Sequence, residues 1–255
     1  YTDERIDASD IQLSHIENRL DHYFTSTTHY SRLLLNSDVI QNSLSTYYND
    51  NKYFSPQKMN MSLEIYKLIY PAPYIFGISI YDKDYNIIIS SERKPYPSDF
   101  KTIKVTGGKW FATNKYDNSS DDLIDTFSYV HPIYDYRSGD LYGYIELIIS
   151  EKSISDIYAV SDTSSSLYLL VDNEYDIISK SDYLNEKNTL TDTIIGAVKS
   201  GKSGHIFSGY GFINTMPLKS YPWKLVHFIP LFFFIKPALT MGIAFFITAC
   251  FSLGL

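Results

Sequence analysis

Eleven residues, YDKDYNIIISS from Tyr81 to Ser91, return ninety positions later as VDNEYDIISKS from Val171 to Ser181. Asp82 matches Asp172, Tyr85 matches Tyr175, and Ile87-Ile88 matches Ile177-Ile178. In each copy two apolar runs flank a polar four-residue break, the pattern of two antiparallel strands joined by a tight turn. A second echo follows later in each copy, FSYVHPI at 127–133 and FINTMPL at 212–218. The order of the elements is therefore duplicated along with the hairpin. Such a chain is expected to form two modules, each with its own sheet, rather than one continuous sheet.

The segments around the repeats fill in the modules. After the first hairpin come the Trp110-Phe111 segment, a strand over 127–134, a Ser138-Gly139 turn and a strand over 141–149. After the second come a helix over 191–200 and strands near 205–207, 210–218 and 223–229, with a short helix over 151–160 between the copies. Ahead of both, Leu13, Ile16, Leu20, Tyr23, Thr27, Tyr30 and Leu34 recur at steps of three and four, and neither Pro nor Gly appears before Pro56. That spacing predicts a long amphipathic helix, about 50 Å if it continues from Asp3 to Leu35. His15, His22 and His29 recur on it every seven residues. Neighbours in that series lie about 10.5 Å apart along the axis, too far to share one ion, and they follow the apolar positions toward solvent.

The resulting organisation is α+β, with a helical spine over 1–69, a membrane-distal module over 70–150 and a linker helix over 151–163. A membrane-proximal module over 164–229 follows, then a transmembrane helix over 231–255. The last element is read from Pro237 to Leu255, which carries no charged residue, with Lys236 at its entrance. Nineteen such residues nearly cross a hydrocarbon core of roughly 30 Å. Because the chain opens on Tyr1 and closes within an apolar run, it reads as a piece of a longer membrane protein whose polar bulk lies outside the cell. No Gly or Ser intervenes between Trp223 and Pro237, so the junction to that helix is expected to be stiff. A net charge of -7 argues against a nucleic-acid surface. The single cysteine, Cys250, lies in the tail, leaving no disulfide or thiolate metal site for the body of the chain. No metal or cofactor is expected.

Three stretches carry a family resemblance: TFSYVHPIYDYRSGDLYGYIELII at 126–149, the KWFA segment at 109–112, and YPWKLVHFIP at 221–230. With the duplication and the leading helix, the chain resembles a double Cache domain, most closely the ectodomains of YesM-type sensor histidine kinases of Gram-positive bacteria. The resemblance implies two PAS-like antiparallel-sheet modules and an extracytoplasmic ligand-sensing role in a two-component receptor at the cell membrane. The fragment itself would be non-catalytic. The implied partners are a small molecule or a solute-binding lipoprotein, and a second copy in a homodimer. A chemotaxis-receptor or cyclase ectodomain, or an adhesion scaffold without a ligand, is the alternative. Amino-acid-binding members carry an Arg ahead of a Trp-Tyr pair and an Asp on a later strand. Here residues 105–108 contain no Arg, the pair is Trp110-Phe111, and the later strand offers Glu146.

On an alternating strand Phe127, Tyr129, His131 and Ile133 share one face, and Ser128, Val130 and Pro132 the other. The candidate ligand-binding residues are Trp110, Tyr129 and His131, with Phe111 and Tyr81, and with Lys104 or Lys109 in place of the missing Arg. An enzyme would draw on Asp121, Asp122 and Asp125 near His131, but no nucleophile elbow, phosphate loop or HExxH motif accompanies them.

Overall fold

Helix α1 runs without a break from Thr2 to Leu35. The computed structural model describes residues 2–49, 54–91, 105–117, 123–159, 167–181, 188–200 and 204–232. Along α1, Leu13, Ile16, Leu20, Thr27 and Leu34 are buried, and His15, His22 and His29 are exposed, as the three-four spacing predicts. The helix ends where Asn36 and Ser37 fold back on Arg32 and Leu34, and Gln41 donates its amide to the Leu35 carbonyl.

Residues 38–69 do not extend the spine. They form α2 (Asp38–Asn49) and α3 (Phe54–Ile69), which pack on each other and on the first sheet. Pro and Gly mark only some chain reversals; here the polar pair Asn36-Ser37 makes one without either. That sheet contains β1 (Ile75–Asp82), β2 (Ile87–Ser90), β3 (Lys109–Asp117), β4 (Leu123–Tyr134) and β5 (Leu141–Ser150), in the antiparallel order β2-β1-β5-β4-β3. The second sheet contains β6 (Leu167–Val171), β7 (Ile177–Lys180), β8 (His205–Ser208), β9 (Gly211–Pro217) and β10 (Lys224–Pro230), in the order β7-β6-β10-β9-β8. The two orders are the same once β1 is matched to β6. Helix α4 (Glu151–Ala159) lies between the copies, and α5 (Asn188–Ser200) between β7 and β8.

The chain divides into two compact units, one of His22–Ile154 and one of Tyr1–Asp21 with Ser155–Leu255. Helix α1 is thus shared between them, its second half belonging with the first sheet. In the first-sheet module one face packs Ile78, Ile80, Tyr129, Ile145 and Leu147 against Leu34, Ile40, Leu44, Met61 and Ile65 of α1, α2 and α3. In the second-sheet module Leu169, Val171, Ile213, Val226 and Phe228 pack against Ile194 and Val198 of α5.

The two hairpins superpose residue for residue in their chemistry. Asp82 Oδ1 accepts the amides of Asp84 and Asn86 at 2.8 Å each, and Asp172 Oδ1 accepts those of Glu174 and Asp176 at 2.9 and 2.8 Å. This carboxylate cradle holds the turn so tightly that Tyr85 and Tyr175 take left-handed backbone angles, φ 63° and 66°. At the open end Ser91 Oγ and Ser181 Oγ accept the amides of Ile78 and Tyr168.

No helix among the described residues is long and apolar enough to cross a membrane. The segment read as membrane-crossing lies outside the described residues except for Leu231 and Phe232.

Candidate functional site

The first sheet divides the sequence candidates between its two faces. Trp110 pairs with Tyr129 across β3 and β4, so both point the same way. They meet the helical layer: the Trp110 ring lies 5.1 Å from Phe24 of α1, 5.4 Å from Phe127 and 5.0 Å from Tyr129. His131, on the same face, is half-buried, with Nδ1 donating to the Pro132 carbonyl at 2.9 Å. Gly108 closes this side. A Cβ there would lie 1.7 Å from the Tyr129 hydroxyl and 2.8 Å from the His131 ring, so backbone already occupies the space above them. Trp110 and Tyr129 belong to the packed core on this face, and His131 lies beside Tyr129, half-buried.

Tyr81, Phe111 and Lys109 lie on the opposite face. Lys109 is exposed and lays its ammonium 5.5 Å from the Phe111 ring centre, while Phe111 packs against Tyr81, Val105, Val130 and Tyr144. Lys104, Asp121 and Asp122 lie outside the described residues, and so does the side chain of Asp125. The six described candidates are therefore divided between the two faces of the sheet.

What converges on the second face is a polar set with Glu146 at its centre. Glu146 sits on the central strand β5, is 1% exposed, and accepts a hydrogen bond from the Tyr81 hydroxyl at 2.7 Å. The register places Ser79 opposite it on β1 and Val130 opposite it on β4. Ser79 Oγ lies 2.9 Å from Ser90 Oγ, and Ser128 is buried one step along β4. Tyr85 stacks on Tyr144 at 4.9 Å and 9°, walling one side. Burial first, then the Tyr85 hydroxyl, pushes the Tyr144 phenol up to about 12. The Tyr144 phenol is therefore neutral at any physiological pH.

The internal repeat shows how unusual this face is. By strand register, Ser79, Tyr81, Ser128 and Glu146 occupy the places held in the other module by Leu169, Val171, Ile213 and Val226. All four of the latter are core residues beneath α5. A carboxylate is buried at a cost that apolar residues at the same position do not carry. Nothing in the fold requires it there, since the duplicate module is built without it.

Among the described residues no three His, Cys, Asp or Glu side chains gather as around a metal ion. A separate cavity of about 370 Å³ lies between α3 and β2, lined by Leu63, Ile65, Tyr66, Ile69 and Ile89 with three serines. Among the described residues its lining offers no charged group to orient a polar ligand.

No family model matches the chain, and no curated protein does. Solved structures do. The sensor domain of the histidine kinase DctB from V. cholerae matches with TM-score 0.60 at 13% identity, over 89% of this chain and 98% of that one. The ligand-binding domain of the amino-acid chemoreceptor PctC from Pseudomonas aeruginosa, solved with GABA, matches with TM-score 0.62 at 10% identity, over 88% and 100%. The ligand-binding domain of the chemoreceptor CtaA from Pseudomonas fluorescens, solved with L-serine, matches with TM-score 0.61 at 10% identity, over 90% and 99%. The chain shares the fold of these sensor and ligand-binding domains. They come from both a kinase and chemoreceptors, so the fold is common to receptors with different outputs.

Proposed function

We propose that this chain is the ligand-sensing ectodomain of a transmembrane receptor, with its site on the first-sheet face that carries Ser79, Tyr81, Ser128 and Glu146. The observation that carries the reading is the exchange of an apolar core in one module for a buried carboxylate, a tyrosine and two serines in the other. A site of this kind fits a small ligand with an ammonium or hydroxyl group for Glu146 and an apolar or flat portion for Tyr85, Phe111 and Tyr144. GABA and L-serine, bound by two of the structural neighbours, both carry an ammonium. Direct binding is favoured over delivery by a lipoprotein because a site for a protein partner has no use for a buried carboxylate. The resemblance in residues 126–149 favours a YesM-type histidine kinase as the output. The module built on the second sheet, which is followed by the apolar segment, passes the ligand-dependent state onward.

The test is a thermal-shift panel of amines, amino acids and polyols, followed by calorimetry on Glu146→Gln. The amide keeps the size of the side chain and an acceptor for Tyr81, so folding is retained. Affinity for an ammonium ligand is expected to fall about 10- to 100-fold. Trp110→Ala serves as the contrast, lowering the melting temperature through its lost contacts with Phe24 and Phe127. An unchanged affinity in Glu146→Gln, with a large loss in a folded Trp110 variant, would return the site to the helix-facing side.

A further inference from the structure

Exposed apolar side chains of the second-sheet module gather at one end. Phe207 and Tyr210, on the β8–β9 hairpin, are 62% and 65% exposed, and Leu231 and Phe232, just after β10, are 42% and 59% exposed. They are neighbours. Gly211 pairs with Pro230, Phe207 pairs with Phe212, which pairs with Ile229, and the Leu231 amide donates to the Tyr210 carbonyl at 2.9 Å.

The start of α1 runs toward the same end. Lys219, in the turn at the far end of β9 and β10, bonds Glu17 at 2.8 Å, whereas Ser9 lies against His227, well along β10 toward Pro230. Going from Glu17 to Ser9 and on toward Thr2, the helix therefore advances in the direction of Pro230. Beyond Phe232 the sequence continues for 23 residues, with Lys236 as their one charged side chain. Large aromatic residues left in water are costly, but at a lipid–water boundary the ring is buried and the tyrosine hydroxyl stays hydrated.

We propose that the β8–β9 hairpin is a membrane-contacting foot. Phe207 and Tyr210, with Leu231 and Phe232, enter the headgroup region of the phospholipid bilayer that the following apolar segment crosses. The inference rests on the reading of this chain as a membrane receptor. Its consequence is mechanical: a second contact beside the exit strand fixes how high the module stands on the bilayer and how far it can tilt.

The whole chain, reconstituted in phosphatidylcholine–phosphatidylglycerol vesicles, tests this with Phe207→Trp, and Tyr210→Trp as a second reporter. Tyr136→Trp, 57% exposed in the other module, is the reference. The unsubstituted chain supplies the background from Trp110 and Trp223. Flotation with the vesicles, and quenching by lipids brominated near the top of the acyl chain that is at least about twofold stronger at 207 or 210 than at 136, is the expected result. Flotation with equal quenching at all three positions overturns the foot and leaves the membrane reading standing. Failure to float removes both.

Discussion

Replacing Gly143 with alanine is expected to unfold the first-sheet module or to cost it about 3 kcal/mol or more. Gly143 lies on β5, the central strand, opposite Asp82 of β1 and Ile133 of β4. A Cβ at this position would come within 1.9 Å of the Tyr81 carbonyl oxygen. The obstacle is backbone in a paired strand, and strands about 4.8 Å apart cannot separate locally without giving up their hydrogen bonds. Gly139 provides the control. Nothing lies within 4 Å of its added Cβ, but its φ is +78°, so alanine there is expected to cost only about 1 to 2 kcal/mol. Urea unfolding followed separately at Trp110 in this module and Trp223 in the other resolves the effect. The Trp110 midpoint should fall steeply in Gly143→Ala and modestly in Gly139→Ala. Tyr81 is also the donor to Glu146, so any Gly143 variant that does fold should bind ligand poorly. A Gly143→Ala protein as stable as its parent would mean the strands do not approach this closely.

The two-module fold was legible because the hairpin repeats without slippage: the offset of ninety that aligns Asp82 with Asp172 also aligns Ser79 with Leu169 and Tyr81 with Val171. The offset then shrinks. Ser128 matches Ile213 at eighty-five, and Glu146 matches Val226 at eighty, because the connections between strands differ in length. Glu146 could therefore be recognised as a substitution into a core position only once strand pairing had set the alignment. The resemblance marks Glu146 as standing in for an Asp on this strand, but alternation with Ile145 and Leu147 says only that it lies on the other side of the strand from them. Tyr129 and His131 share a face, as alternation predicts, and Trp110 pairs with Tyr129 on that side. Which face met the helices was not decidable from alternation, because both sides of β4 and β5 are buried and period two carries no sign. The helix expected from Asp3 to Leu35 is α1; beyond it α2 and α3 keep helical periodicity, and the turn at Asn36-Ser37, which carries neither Pro nor Gly, separates them from it.

Acid is expected to weaken the second-sheet module between about pH 6.5 and pH 4, and His227→Phe is expected to abolish most of that sensitivity. The His227 side chain is fully buried, with Nδ1 2.7 Å from Ser9 Oγ and its ring stacked on Tyr168 at 4.6 Å and 9°. Burial pushes the imidazole down to about 4. The groups around it do not reverse that: Ser9 and the Tyr168 ring are neutral, and the Asp10 carboxylate is engaged by Asn214 at 2.6 Å and His205 at 3.0 Å. The sign follows from proton counting. Between the folded value near 4 and the unfolded value near 6.5, the unfolded chain holds a proton that the native chain does not, so stability rises with pH. The contribution is whole above about 6.5, declines as pH falls and stops declining below about 4. At about 1.4 kcal/mol per unit, the full loss is about 3 kcal/mol. Asp10 acts in a separate window. Its carboxyl is held below the usual range, first by the His205 hydrogen bond, so its contribution is lost only at pH values below those that titrate His227. Phenylalanine retains the stack on Tyr168 and removes the titrating group, giving up the bond to Ser9. Urea midpoints read at Trp223 across pH 4 to 7 should therefore slope in the parent and lie nearly flat in His227→Phe. Parallel slopes in the two proteins would place the acid-sensitive group elsewhere in the module.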